Sequence, residues 1–202
     1  MRLKIINYLK IHPFFTRLIW LLMEAFLIVI GVFVPRKPKT ILFSSFGGRR
    51  FDDSPRAIYE EICQRPFFDD WRLIWAFTDP DAVQIPRGEK VKIDTFPFFI
   101  RLLQSQVWVS NTGITRGINL NRKHVLRVET WHGTPLKKIC GDENQNTIGG
   151  KRQFKGPLDA STIRCAQSEY DRKLFARLFH AEDKLILLSD LPRNDALLRY
   201  TD

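Results

Sequence analysis

The chain has 202 residues, 44% of them hydrophobic and 12% aromatic, which supplies a core and excludes a disordered polymer. Its formal net charge of +10 calls for an anionic partner: nucleic acid, a phosphorylated substrate or acidic lipid. Cys63, Cys140 and Cys165 are scattered without a CxxC pair, so neither a disulfide framework nor a zinc site follows, and reduced thiols are expected.

The charge is unevenly placed. Up to Lys39, the basic residues Arg2, Lys4, Lys10, Arg17, Arg36, Lys37 and Lys39 face Glu24 alone, so about +6 sits in the first fifth of the chain. A nucleic-acid-binding domain spreads its charge over the folded body, and no nucleic-acid partner is expected. The first element within this stretch runs from Leu18 to Val34 (LIWLLMEAFLIVIGVFV), broken only by Glu24 and Gly31. It lies at the short end of what crosses a bilayer, and Glu24 would sit expensively deep in hydrocarbon. Basic flanks at both ends set no orientation, and Val34-Pro35-Arg36-Lys37-Pro38 offers no small-residue cleavage site. Three arrangements fit: a helix lying in an anionic leaflet with Trp20 as anchor, a spanning helix, and a buried core helix. Residues 1–38 are read as a basic, hydrophobic, membrane-associating segment, with anionic lipid as partner.

After Pro38 the pattern changes period. Thr40 to Phe46 is a short apolar run closed by Gly47-Gly48, as in a buried strand. Ser54-Pro55 predicts a helix start, with Ser54 as cap and Pro55 first in the helix, ending near Gln64-Arg65-Pro66. Further strands are predicted at Trp71 to Phe77, around Val91 to Ile93, at Gln106 to Ser110, Lys123 to Thr130, Ile163 to Gln167 and Lys184 to Ser189. Helices are predicted near Phe96 to Gln104 and from Ser168-Glu169-Tyr170 to about His180. Alternating strands and helices imply an α/β fold with a mostly parallel sheet covered on both faces. Ligands bind beyond the carboxyl ends of such strands. Three polar clusters fall at such ends, Ser44 to Asp53, Ser110 to Arg116 and Trp131 to Lys138, and are expected to converge on one edge.

His132 follows a strand and precedes Gly133-Thr134-Pro135, a turn able to feed a helix whose amides would favour phosphate. Lys137 and Lys138 add positive charge, and a histidine there is placed to take a proton from an attacking hydroxyl. A structural histidine fits the same pattern. Phe46 to Pro55 (FGGRRFDDSP) puts glycines at a strand end beside Arg49 and Arg50, two forks able to grip phosphate oxygens, although it is neither a P-loop nor GxGxxG. It reads equally as a surface turn whose Asp52 and Asp53 favour a helix N-terminus. Ser110-Asn111-Thr112 fits either a hydroxyl or phosphate contact or turn chemistry, and Pro192-Arg193-Asn194-Asp195 reads as a loop or helix cap.

Taken together, SSFGGRRFDDSPRAIYE, VWVSNTG, ETWHGTPLKK, SEYDRKLFARLF and LPRNDALL follow the order and spacing of the CDP-glycerol glycerophosphotransferase family of teichoic-acid primases and polymerases. The chain resembles that family from about Thr40 to its end, and WHGTPLK is the most specific piece. The resemblance implies the N-terminal, Rossmann-like half of a GT-B-like fold at residues 39–202, working at the cytoplasmic face of the bacterial membrane on a lipid-linked wall or capsule polymer. CDP-glycerol is the implied donor, with no cofactor or metal evident. His132 matches the histidine proposed as general base; on physical grounds, Arg49, Arg50, Asn111, Gly133, Thr134 and Lys137 are the expected phosphate or substrate contacts. The family continues past a PRND-like segment into a second, donor-binding domain, whereas this chain stops at Asp202 and carries Asp190-Leu191 where the family often has Gly-Tyr. The expectation is a transferase incomplete alone, partnered by a separate C-terminal domain or polymerase. The alternative is a non-catalytic membrane-bound accessory of teichoic-acid or capsule synthesis.

Overall fold

The computed structural model describes residues 13–115, 118, 120, 124–136, 162–179 and 182–198. Seven short strands, β1 (Thr40–Ser44), β2 (Arg72–Phe77), β3 (Glu89–Lys92), β4 (Val107–Ser110), β5 (Leu126–Glu129), β6 (Thr162–Ala166) and β7 (Ile186–Leu188), form one sheet in the order β3-β2-β1-β4-β5-β6-β7. Every pairing is parallel. All seven lie where the sequence predicts strands. The central ones read as unbroken apolar runs because both faces are covered: β1 is buried at every residue.

Helix α1 (Pro13–Phe33) precedes the sheet, α2 (Asp53–Gln64) follows β1, α3 (Phe96–Gln104) follows β3 and α4 (Glu169–Phe179) follows β6. A last turn of helix, α5, spans Asp195–Leu198. Alternate strand residues divide between two cores. Leu42, Ile74 and Trp108 meet Phe98, Phe99, Leu102 and Leu103 of α3 on one face. Ile41, Phe43, Leu73, Trp75, Phe77 and Val109 meet Tyr59 of α2 on the other. Beyond β5, Phe175, Leu178 and Phe179 of α4 pack on Ala166 and Ile186, with Trp131 against them.

One expectation is corrected. Helix α2 is capped not by Ser54 but by Asp52, whose side chain accepts from the Asp53 amide, so Ser54 falls inside the helix with its hydroxyl buried. Asp and Ser are near-equal caps, and three occur in a row, so local chemistry leaves the start ambiguous by a residue or two. Helix α1 combines two of its three arrangements, with one side packed on the core and the other left apolar and exposed. Among the described residues no helix is long and apolar enough to cross a membrane. Instead Leu27 is buried in the α3 core, with Met23, Ile30 and Val34 packed beside it. The opposite side leaves Leu22, Phe26, Val29, Val32 and Phe33 exposed, the last two at 78% and 80%.

Tyr59 shows how α2 is pinned to the sheet. Its hydroxyl donates to the Arg87 carbonyl at 2.5 Å and accepts from the Arg87 amide at 2.9 Å, and the side chain is fully buried. Burial pushes the phenol up to about 12, and Cys63 adds to the rise while Arg87 opposes it. A phenol whose folded value is raised contributes stability fully present below its unfolded pKa of 10.0 and lost as pH climbs through about 12. Tyr59→Phe should cost about 1–3 kcal/mol, since both Arg87 groups lose a buried partner. Urea unfolding at pH 7 and above pH 10 checks this: the gap between wild type and variant should narrow at the higher pH.

Candidate active site

The sheet reverses its order between β1 and β4, and in sheets of this kind ligands occupy the crevice outside the carboxyl ends of the strands at that point. The three polar clusters meet at this point. After β1 the chain turns tightly through Phe46–Gly48. Gly48 has φ +82°, and a Cβ there would meet Ala76 O and Thr78 N at 3.1 Å, so this glycine serves close packing on β2. The Gly48 carbonyl accepts from the Thr78 amide at 2.7 Å. The loop after β4 holds this turn from the other side: Asn111 Oδ1 accepts from the Phe46 amide at 2.8 Å, and Thr112 Oγ1 from the Gly47 amide at 3.0 Å.

His132 stands on the third loop, just beyond β5. Its Nδ1 lies 3.0 Å from the backbone carbonyl of Asn111. A carbonyl only accepts, so the contact requires the proton on Nδ1, which leaves the Nε2 lone pair free. The imidazole stacks on Trp131 with ring centroids 4.5 Å apart and faces Phe46 at 6.2 Å. Trp131 is itself wedged against Phe175 and Phe179. The ring is therefore fixed in orientation while the residue stays solvent-exposed.

Phe46, Asp53 and Trp131 carry positive φ values of 47°, 65° and 55°. Side chains other than glycine resist this region, at about 1–2 kcal/mol each. Three of the five such residues among those described border the crevice, a concentration typical of functional loops.

Beneath the loops, Ser44, Ser110, Glu129 and Arg164 are register partners across four neighbouring strands. Ser110 Oγ donates to Glu129 Oε2 at 3.1 Å. Burial pushes the Glu129 carboxyl above the ordinary carboxylate value; the Arg164 charge, the Ser110 hydroxyl and the Gly113 amide pull it back. Glu129 thus ties the start of β4's loop to β5, and so supports the carbonyl that orients His132.

The expected contacts divide in two. Arg49 and Arg50 are exposed at the crevice, Arg49 through an Nε bond to Phe46 O at 2.9 Å and Arg50 with its guanidinium over the Phe46 ring. Gly133 lies next to His132 with φ +137°. Asn111 is corrected: it is fully buried, its amide is spent on Phe46 and Ser45, and its contribution to the crevice is its carbonyl. Thr134 also points inward, donating to Asp171 Oδ2 at 3.0 Å and accepting from Gln167. Lys137 and Lys138 lie outside the described residues, as does any helix fed by the Gly133 turn. Asp171, Glu129 and the pair Asp53–Arg193 were not singled out from sequence. Among the described residues, no group of three or more His, Cys, Asp or Glu gathers to hold a metal.

The site thus gathers a histidine oriented by a backbone carbonyl and two exposed arginines at the switch point of a parallel sheet. Residues 26–202 match the family described as CDP-Glycerol:Poly(glycerophosphate) glycerophosphotransferase, and the chain belongs to that family. It is 32% identical over 169 residues to a teichoic acid poly(glycerol phosphate) polymerase of Staphylococcus epidermidis, covering 80% of this chain and 23% of that protein. Against a teichoic acid glycerol-phosphate transferase of Staphylococcus aureus it is 28% identical, covering 78% of this chain and 41% of the other. The wall teichoic acid polymerase TagF has a similar structure, with TM-score 0.69 and 31% identity over 81% of this chain and 41% of that one. A histidine variant of TagF soaked with CDPG matches comparably, at TM-score 0.68. The chain spans less than half the length of each of these relatives.

Proposed function

We propose that this chain is the acceptor-side domain of a CDP-glycerol-dependent glycerophosphotransferase, with His132 as general base. The observation that carries the reading is the His132–Asn111 hydrogen bond, which turns a basic nitrogen outward at the crevice. Nε2 takes the proton from the acceptor's terminal hydroxyl, and that oxygen attacks the phosphorus bearing glycerol. The bond from this phosphorus to the bridging oxygen breaks, CMP leaves, and glycerol phosphate is joined to the acceptor. Arg49 and Arg50 offset the charge gathering on the phosphoryl oxygens. The cytidine-bearing donor is held largely by a second domain, as the family resemblance implies.

The exposed apolar stripe of α1, followed by Arg36 and Lys37, suits a helix lying in an anionic leaflet, with the acceptor presented on the same surface. One experiment tests both parts. The chain, a separately expressed C-terminal domain of a relative and CDP-glycerol are mixed with anionic vesicles carrying a lipid-linked glycerol phosphate acceptor. The chain should sediment with vesicles, less so at high salt, and CMP should be released only when acceptor is present. Sedimentation without any CMP release favours the non-catalytic accessory instead.

A further inference from the structure

Arg193 meets the loop after β1 from a turn 140 positions further along the chain. It lies in the short turn Pro192–Asn194 after β7, and its Nη1 donates to Asp53 Oδ2 at 2.9 Å. The Asp53 side chain is almost wholly buried, at 3% exposure, while Arg193 keeps 38%. Asp53 is itself aimed: its backbone sits at φ 65° and its other oxygen accepts from the Ser54 amide at 2.6 Å. The second terminal nitrogen of Arg193 has no protein partner among the described residues. It lies beside the His132 turn, 4.0 Å from where a Cβ on Gly133 would be, an ordinary van der Waals distance.

A buried carboxylate holding one arm of a guanidinium fixes the plane of the fork and points the other arm. Here the free arm lies beside the loop bearing the candidate base, whose ring is 6.2 Å from Phe46, the residue that Arg49 and Arg50 contact. We infer that Arg193 is a phosphate-binding residue of this crevice, aimed by Asp53, and that it holds a phosphoryl oxygen of the substrate next to His132. The inference rests on the transferase reading for the identity of that substrate, but the anion site itself does not need it.

The test uses the whole chain with inorganic pyrophosphate as probe, followed through the Arg Nε–H and His132 ring signals by nuclear magnetic resonance. Pyrophosphate should shift the Arg193 and His132 signals together. Arg193→Lys keeps a cation for Asp53 but loses the second arm; it should retain the melting midpoint and bind pyrophosphate about tenfold more weakly. Arg193→Gln should weaken binding at least as much, and Asp53→Asn less, because it loosens the aim and keeps the charge. Wild-type affinity in a folded Arg193→Lys protein, or pyrophosphate shifts confined to Arg49 and Arg50, overturns the inference. A parallel titration with CDP-glycerol, in the presence of the separately expressed C-terminal domain of a relative, separates the two claims. Pyrophosphate behaving as expected while CDP-glycerol leaves the signals unmoved retains the anion site and removes the proposed donor. CDP-glycerol binding equally to wild type and Arg193→Lys removes Arg193 and retains the donor.

Discussion

His132→Ala should lower CMP release in the vesicle assay by about 10²–10⁴-fold, the range by which a positioned general base accelerates proton transfer. The fold should scarcely notice. The residue is exposed, and among the described residues its hydrogen bond is to the Asn111 carbonyl alone, so the expected stability change stays within about 1 kcal/mol. His132→Gln is the sharper variant, because it keeps a side-chain donor for the Asn111 carbonyl but supplies no basic nitrogen. It should be as inactive as the alanine variant. If His132→Gln retains more than about a tenth of the wild-type rate, the ring is a structural element and another group takes the proton.

Trp75→Ala should be the most damaging single change to the fold, at about 3–5 kcal/mol. Trp75 is fully buried in the middle of β2. It stacks between Phe43 and Phe77 at 5.3 and 5.5 Å, and meets Tyr59 and Phe51 edge-on. Truncation leaves a cavity lined by rings that are themselves fixed by strands and by α2, so collapse around it is limited. Trp75→Phe should cost far less, about 1.5 kcal/mol or under, because its buried indole nitrogen has no hydrogen-bond partner to lose. Equilibrium urea unfolding of the two variants gives both numbers. A Trp75→Ala loss below about 1 kcal/mol contradicts this account of the α2-side core.

Most of the architecture was legible because it rests on local chemistry and periodicity. Strands buried on both faces announce themselves as short apolar runs, as β1, β2 and β4 do here, whereas β3 (Glu89-Lys90-Val91-Lys92) offers a single buried apolar residue. Helix α3 was legible to its ends, since Pro97 is tolerated only in a first turn and the apolar positions Phe98, Phe99, Leu102 and Leu103 follow helical spacing. The convergence of the three loops followed from the parallel sheet alone, which puts every strand's carboxyl end on one edge. What stayed illegible depends on long-range geometry. Nothing in Ser110-Asn111-Thr112 distinguishes a side chain offered to substrate from one that props up Phe46, sixty-five residues away. The Asp53–Arg193 pair joins positions 140 apart, and its acid reads locally as helix-dipole chemistry. Helix α1 was ambiguous for another reason: a run apolar on all sides fits a membrane, a core or both, and the structure uses one side for Leu27 and leaves the other open.

The claim on which the rest depends is that the Asn111 carbonyl keeps the His132 proton on Nδ1 and the lone pair on Nε2. Long-range ¹H–¹⁵N spectra of the imidazole, recorded where the ring is neutral, read this directly. The account predicts an Nδ1–H tautomer for His132, with Nε2 at the shift of an unprotonated nitrogen. An Nε2–H tautomer, or rapid exchange between the two, contradicts it.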